Sequence, residues 1–141
     1  MEKTPEDSTT MITKGMMSSL RPDWKTPKAL YAQLDKEFWF DFDPCPPNPT
    51  FDGLTCEWSH GANYVNPPYG REIPKWTAKA VQEWKKGKTI VMLVPSRTDT
   101  RWWHDHIMQA DEIRFIKGRL CFDDCKSPAP FPSAIIIFRP R

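Results

Sequence analysis

Residues 89–94, Thr-Ile-Val-Met-Leu-Val, form an unbroken apolar run, and that run decides most of what the chain can fold into. A strand with one wet face alternates apolar and polar side chains. A strand without alternation is covered on both faces, as in a parallel sheet flanked by helices. The neighbouring segments supply that cover. Pro74 opens a helical pattern with Ile73, Trp76, Ala80 and Trp84 on one side, ending near Gly87. Arg101 to Gln109 predicts a further helix that buries Trp103 and Ile107.

Upstream, Thr26 is a good N-cap with Pro27 at the first helical position, ahead of an apolar stripe of Leu30, Leu34 and Phe38. Trp39-Phe40-Asp41-Phe42-Asp43 alternates and predicts a strand. Pro44-Cys45-Pro46-Pro47-Asn48-Pro49 stops it, because such a stretch is neither helix nor central strand. Asn63–Val65 reads as a short strand, and 111–117 and 133–138 as two more, separated by a Pro-rich loop. Alternating strands and helices predict an α/β fold with helices on both faces of the sheet. Ligands in such sheets bind at the carboxyl ends of the strands. Asp43-Pro44-Cys45, Asn66–Tyr69 and Pro95-Ser96-Arg97 all fall at those ends.

At 141 residues the chain is long enough for one domain with a real core. Residues 1–20 are polar, rich in Met, Ser and Thr, and without periodicity, which predicts a disordered leader. A single domain is expected over residues 21–141. No apolar run is long enough for a membrane-spanning helix, and no signal-peptide pattern is present. The four Cys are not closely or regularly spaced, so reduced thiols in a cytoplasm are expected. Cys121 and Cys125 with His104 and His106 fit no standard zinc-finger spacing, and no metal is expected. Charge is uneven: residues 1–60 hold six Lys/Arg against ten Asp/Glu, while residues 71–119 hold eleven against six. A basic half beside an acidic half suits a chain that lays one face on a polyanion.

Asn66-Pro67-Pro68-Tyr69 carries the chemistry. Pro67 and Pro68 each fix φ and give up an N–H, so the loop is stiff and presents carbonyls. The exocyclic amine of adenine is a poor nucleophile, because its lone pair is conjugated into the ring. Two acceptors on its hydrogens rotate that lone pair toward an electrophile. The Asn66 side-chain oxygen and the Pro67 carbonyl are candidates for those acceptors, and Tyr69 for stacking on an extruded base. Together, residues 66–69 are the candidate catalytic loop.

With these segments in place the chain resembles the phage-type DNA adenine-N6 methyltransferases, a Dam-like family. The likeness covers about residues 23–139. It rests on Asp23-Trp24-x-Thr26-Pro27, Phe42-Asp43-Pro44-Cys45, Asp52-Gly53-Leu54 and Asn66-Pro67-Pro68-Tyr69-Gly70. It continues through Leu93-x-Pro95-x-Arg97-Thr98-Asp99-Thr100 and Gly118-Arg119-Leu120-x-Phe122. The resemblance implies S-adenosylmethionine as cofactor on a Rossmann-like sheet whose last two strands form a reversed pair. It places Trp24, Thr26 and Pro27 by the methionine part of the cofactor. Asp43, with Pro44 and Cys45, would serve the cofactor's amino group, Asp52 and Gly53 its adenine, and Asn66 the transfer itself. A full-size sheet of this kind has two more strands before the catalytic loop, yet only 22 residues separate Asp43 from Asn66. No Gly-x-Gly turn follows the first strand, and the acidic residue for the ribose has no obvious place. A reduced sheet of about five strands is therefore expected.

The resulting expectation is methyl transfer to the N6 amine of adenine in double-stranded DNA, with the adenine flipped out of the helix. Arg71, Arg97, Arg101 and Trp102 are the candidate DNA contacts. The enzyme would be a monomer or weak dimer in the cytoplasm, a bacterial host's if phage-encoded, with protection from restriction as its role. Two alternatives stand beside this one. The same loop serves methylases of RNA and of protein glutamine, and the shortened cofactor region also suits a catalytically weak or idle DNA-binding module.

Overall fold

Tyr64 and Phe138 point to opposite faces of one four-stranded sheet, and each face has its own helical cover. The computed structural model describes residues 25–122 and 128–140. Its elements are α1 (Lys28–Phe38), β1 (Ala62–Val65), α2 (Ile73–Trp84), β2 (Thr89–Pro95), α3 (Arg101–Asp105), a 3-10 turn (Ile107–Gln109), β3 (Glu112–Phe115) and β4 (Ser133–Phe138). The strand order is β1-β2-β4-β3. Strands β1 and β2 are parallel, and β4 runs antiparallel to both β2 and β3. The reversed pair expected at the end of the chain is present.

Register explains the two covers. Tyr64, Val91, Ile137 and Glu112 lie in one row across the sheet, and Asn63, Ile90 and Phe138 in the next. Successive side chains on a strand point to opposite faces, so these rows face opposite ways. Helix α1 crosses the first face. Its Tyr31 ring meets Tyr64 edge-on at 5.1 Å, and Glu37 holds Arg114 of β3 in a two-point ion pair at 2.8 and 2.7 Å. Helix α2 covers the second face. It buries Ile73, Trp76, Ala80, Val81 and Trp84, and the Trp84 ring lies 5.2 Å from Phe138. Helix α3 joins it there, with Trp103 stacked on Phe115 at 6.3 Å. The apolar run that opened the sequence reading is the best-covered strand: Ile90 to Val94 are each 0% exposed.

Two expectations are corrected. The sheet has four strands, where about five were expected. Residues 39–43 contribute a single parallel bridge, Phe42 to Asn63, with Asp41 N–H on the Ala62 carbonyl and Tyr64 N–H on the Phe42 carbonyl. The cause is local. Trp39 ends α1 in the left-handed region at φ 57°, and Pro44 follows four residues after Phe40 begins the extended stretch. Too little chain remains to build a ladder, and the prolines beyond lack N–H donors. Second, Thr26 is not the cap of α1. Pro27 holds the cap position and no side chain bonds the first turn. The Thr26 hydroxyl goes elsewhere, as described below.

The end of the sheet opposite the strand carboxyl ends is closed by ions. Lys88 and Glu83 are both 0% exposed and paired. Lys88 also reaches Glu57 at 3.1 Å and the Trp58 carbonyl at 2.8 Å. Glu83 accepts the Trp58 N–H at 3.0 Å, and Lys79 and Lys86 at 3.0 Å each. The helix α2, the start of β2 and the approach to β1 are thereby joined.

Candidate active site

Because β1, β2 and the Phe42 bridge run in parallel, their carboxyl ends emerge on one edge of the sheet. In strand order that edge presents Asp43, then Asn66, then Pro95-Ser96-Arg97. The antiparallel strand β4 starts at the same edge, and Ser96 N–H donates to the Pro132 carbonyl at 2.9 Å. This brings the segment around Phe131 to the site.

Asn66 follows β1 directly. Its Nδ2 donates to Thr26 Oγ1 at 3.3 Å, and Thr26 Oγ1 lies 2.5 Å from Tyr64 Oη. The Thr-Pro segment and the Asn-Pro-Pro-Tyr loop, 40 residues apart in sequence, thus meet through one hydroxyl. Tyr64 is 2% exposed and its ring is held between Tyr31 and Phe40. Burial raises its hydroxyl well above the ordinary phenol value, against the hydrogen bond from Thr26 and with help from the charge of Asp43. Pro67 is buried and Pro68 half-buried. Trp24, the third residue expected in the Thr-Pro segment, lies outside the described residues.

Asp43 ends the bridge strand. Its Oδ1 accepts the Cys45 N–H at 2.9 Å. Among the described residues no Lys or Arg forms an ion pair with it. Burial pushes its carboxyl up to about 6, opposed by the Cys45 hydrogen bond. The Cys45 thiol beside it is pushed up to about 12, chiefly by burial and then by the Asp43 charge, so it is an inert thiol. Pro44 is buried, and Gly53 packs on it: a Cβ at Gly53 would sit 1.9 Å from the Pro44 carbonyl oxygen. Only glycine fits that approach. Asp52 is exposed and closes a turn, with Oδ1 on the Leu54 N–H at 2.9 Å. The structure therefore brings 43–45 and 52–53 together on one side of Asn66.

On the other side lies a cavity of about 220 Å³ walled by Tyr69, Ile73, Trp102 and Phe131, with Gly70, Pro95, Arg97 and Thr100 completing it. Tyr69 is 5% exposed. Its hydroxyl donates to the Leu93 carbonyl at 3.2 Å, and its ring meets Phe131 and Phe122 edge-on at 5.4 and 6.0 Å. The Tyr69 ring thus belongs to the core and to the cavity wall at once, and burial raises its hydroxyl far above the usual value. Trp102 is buried at 8%. Arg71, Arg97 and Arg101 are exposed, and each is a lining residue or the chain neighbour of one. Lys79, by contrast, spends its charge on Glu83. A larger and shallower hollow of about 370 Å³, beside Leu54, Lys75, Ala78, Lys79 and Gln82, contains none of the candidate catalytic residues.

Tyr64 and Phe131 belong to the candidate site without having been singled out from sequence, and Thr100, quoted there only within a motif, joins them. Tyr64 sits in an apolar strand and reads there as core. Phe131 stands in the Pro-rich loop, where an aromatic between prolines was the available signal. His104 bonds the Thr98 carbonyl at 2.8 Å and His106 bonds Thr77 at 2.7 Å. Among the described residues no three His, Cys, Asp or Glu gather as a metal site, and Cys125 lies outside them. No described helix is long and apolar enough to cross a membrane.

A family model described as DNA N-6-adenine-methyltransferase (Dam) matches residues 14–135. A DNA N-6-adenine-methyltransferase of Haemophilus phage HP1 (strain HP1c1) is 25% identical over 150 residues, spanning 93% of this chain and 87% of that protein.

Proposed function

We propose, from the premise that this chain belongs to the DNA N-6-adenine-methyltransferase (Dam) family, that it moves a methyl group from S-adenosylmethionine to the N6 amine of a flipped adenine in double-stranded DNA. One observation carries the proposal. Asn66 stands on the carboxyl edge of the sheet between a half-buried carboxylate, which pairs with no Lys or Arg among the described residues, and an aromatic-walled cavity.

The donor's ammonium fits the first side. A carboxylate held up near 6 by burial gains most from a cation that arrives with the ligand. Asp43 would hold that ammonium, with Pro44, Cys45, Thr26 and Pro27 around it and Asp52 and Gly53 for the adenine end. S-Adenosylmethionine, when bound, supplies an already activated methyl carbon, so no metal or strong base is required of the protein. The chain's own work is then orientation. Asn66 Oδ1 and the Pro67 carbonyl take the two amine hydrogens and turn the nitrogen lone pair out of the ring plane. The Pro67-Pro68 pair keeps that grip stiff. Tyr69, Trp102 and Phe131 offer ring faces and edges to a base withdrawn from the duplex, where the amine is out of reach. Arg71, Arg97 and Arg101 at the rim take backbone phosphates.

The likeness to a phage protein supports a phage-encoded enzyme that acts in the host bacterial cytoplasm; protection of DNA from restriction, and work as a monomer or weak dimer, complete the proposal. The test is direct. Unmodified DNA is incubated with the protein and methyl-tritiated S-adenosylmethionine, then digested to nucleosides. Label in N6-methyladenine is the expected result. Label in RNA or glutamine and none in DNA would redirect the assignment, and no label anywhere would leave an idle binding module.

A further inference from the structure

We propose that the carboxyl end of β3 is a second DNA contact: Lys117 and Arg119 hold backbone phosphates of the duplex that flanks the target base, and Phe115 packs on the nucleotide between them. This rests on the methyl-transfer reading above and deepens it, because it says where the duplex runs once its adenine is withdrawn.

Topology places the segment. Strand β4 is antiparallel to both β2 and β3, so β2 and β3 run the same way and end on the same edge. The start of β4 joins them there. The Pro132 carbonyl accepts the Ser96 N–H at 2.9 Å on one side, and the Ser133 carbonyl accepts the Ile116 N–H at 3.0 Å on the other. Phe115 and the residues after it therefore stand on the edge that carries Asn66. Three strand spacings separate β1 from β3, about 14 Å at about 4.8 Å each. A duplex advances about 3.4 Å per base pair, so the two contacts lie about four base pairs apart.

Residues 117–119 are exposed and held at both ends. Ile116 is tied to Ser133, and beyond the turn the Leu120 carbonyl accepts the Ala129 N–H at 2.7 Å. Gly118 between them has φ 76°, and a Cβ there would meet nothing within 4 Å. The turn thus projects into open space from fixed ends. Lys117 and Arg119 flank Gly118, and neither forms an ion pair among the described residues. Their neighbours differ. Arg114 is engaged by Glu37 and Glu112, and Arg139 by Glu112. The carboxylates around β3 thus hold the cations within its length, and the two cations at its end are open to an anion from outside.

Phe115 supplies the apolar part. Its ring is 66% exposed, although it stacks on buried Trp103 at 6.3 Å. Trp103 in turn lies 6.0 Å from Trp102, a wall of the cavity. Three rings therefore lead from the cavity to the surface next to Lys117. An exposed ring flanked by cations suits a nucleic acid, which alternates phosphates with flat apolar faces. The strip also continues the arginine rim, since Arg97 follows the same Ser96 that is bonded to the start of β4.

The test is binding of the full chain to a labelled duplex long enough to cross both contacts, by fluorescence anisotropy over a salt series. Lys117→Ala with Arg119→Ala is expected to lose about 2 from the slope of log affinity against log salt, about 0.9 for each phosphate. Adding R97A and R101A should bring the loss to about 4. Phe115→Ala should weaken binding about 5- to 10-fold and leave the slope as it is. In all of these contact variants of β3, kcat at saturating DNA should stay within about threefold while KM for DNA rises, since the contacts hold ground state and transition state alike. An unchanged slope in K117A/R119A overturns the inference, and so does parental affinity in F115A. Amide hydrogen exchange in the parent needs no variant: slower exchange at residues 116–119 on adding duplex supports the contact, and unchanged exchange overturns it. Self-association of the parent that F115A abolishes, with the salt slope of K117A/R119A unchanged, would assign the face to a second copy of the chain and overturn the inference. If the parent binds the duplex but methylates nothing, the methyl-transfer reading fails while the slopes still decide for or against this contact. If it binds no duplex, both fail.

Discussion

The Asp43 carboxylate accepts the Cys45 backbone N–H at 2.9 Å, yet burial still pushes its carboxyl up to about 6. One neutral donor does not replace the water the carboxylate has lost. A carboxyl raised in the fold binds more protons in the native than in the unfolded state between pH about 4 and 6. Stability therefore falls as pH rises through that window, and the cost is complete above it. Asp43→Asn keeps an oxygen for Cys45 and removes the charge. We expect it to stabilise the free protein at pH 8 by up to about 3 kcal/mol, the two-unit shift converted, and to change little at pH 4. S-Adenosylmethionine should raise the melting temperature of the parent more than that of the variant. Thermal unfolding at both pH values, with and without cofactor, is the measurement; a D43N variant no more stable at pH 8 than its parent would show that the buried charge carries no cost.

The Lys88–Glu83 pair makes the opposite prediction. Here burial tends to raise the Glu83 carboxyl, but donors from Lys88, Trp58 N–H, Lys79 and Lys86 outweigh it and hold the group down to about 2. The stabilisation is present above pH about 4.5 and is lost as pH falls toward 2. Removing one partner leaves a buried charge poorly matched. Lys88→Met should cost about 3 to 5 kcal/mol in urea unfolding at pH 7. Adding Glu83→Leu should restore part of that loss, because the orphaned charge goes too. A double variant as unstable as the sum of both single variants would mean the two residues act independently.

The same contrast shows what could be read in the residues beforehand. The unbroken run at Thr89–Val94 marked a covered central strand, and apolar positions three or four apart at Ile73, Trp76, Ala80 and Trp84 marked the helix over it. These signals are local and strong. The stretch at Trp39–Asp43 carries an equally good strand pattern but reduces to one bridge, because Trp39 is consumed in closing α1. Pattern does not report how much chain a neighbouring helix end will use. Thr26 fits the description of a cap, and only the approach of Tyr64, 38 residues away, shows where its hydroxyl goes. The motif Asn66–Tyr69 was legible as chemistry. That Tyr69 doubles as core, with its hydroxyl on Leu93, was not, since alternation ends where the prolines begin.

Arg97 and Arg101 stand exposed at the cavity rim, and neither pairs with a carboxylate among the described residues. An arginine left in water beside a cavity is available to phosphate at little desolvation cost. Replacing both by Ala should weaken binding to DNA of any sequence alike. Each lost phosphate contact lowers the slope of log affinity against log salt by about 0.9, so the double variant should lose about 2 from that slope. Fluorescence anisotropy on a labelled duplex over a salt series measures it. An unchanged slope would move the DNA path to another face.

Asn66 and Tyr69 lie three residues apart and should fail in different ways. Asn66 is half-buried and bonds Thr26 at the edge of the core, so Asn66→Ala removes little packing. We expect methyl transfer to be abolished while S-adenosylmethionine binding survives, with a melting temperature close to the parent's. Tyr69→Phe loses the bond to the Leu93 carbonyl, worth about 1 kcal/mol, and keeps the ring in the cavity wall. Its activity should stay within a few-fold of the parent, because the phenol, held far above its usual value by burial, does not ionise near neutral pH. Tyr69→Ala empties the space against Phe131 and Phe122 and should cost about 3 to 5 kcal/mol, with activity lost along with the wall. Tritiated-methyl transfer and thermal unfolding on the three variants separate the roles. Full activity in N66A would remove the loop from the chemistry, and a severe activity loss in a well-folded Y69F would mean that the hydroxyl, not the ring, is what the reaction needs.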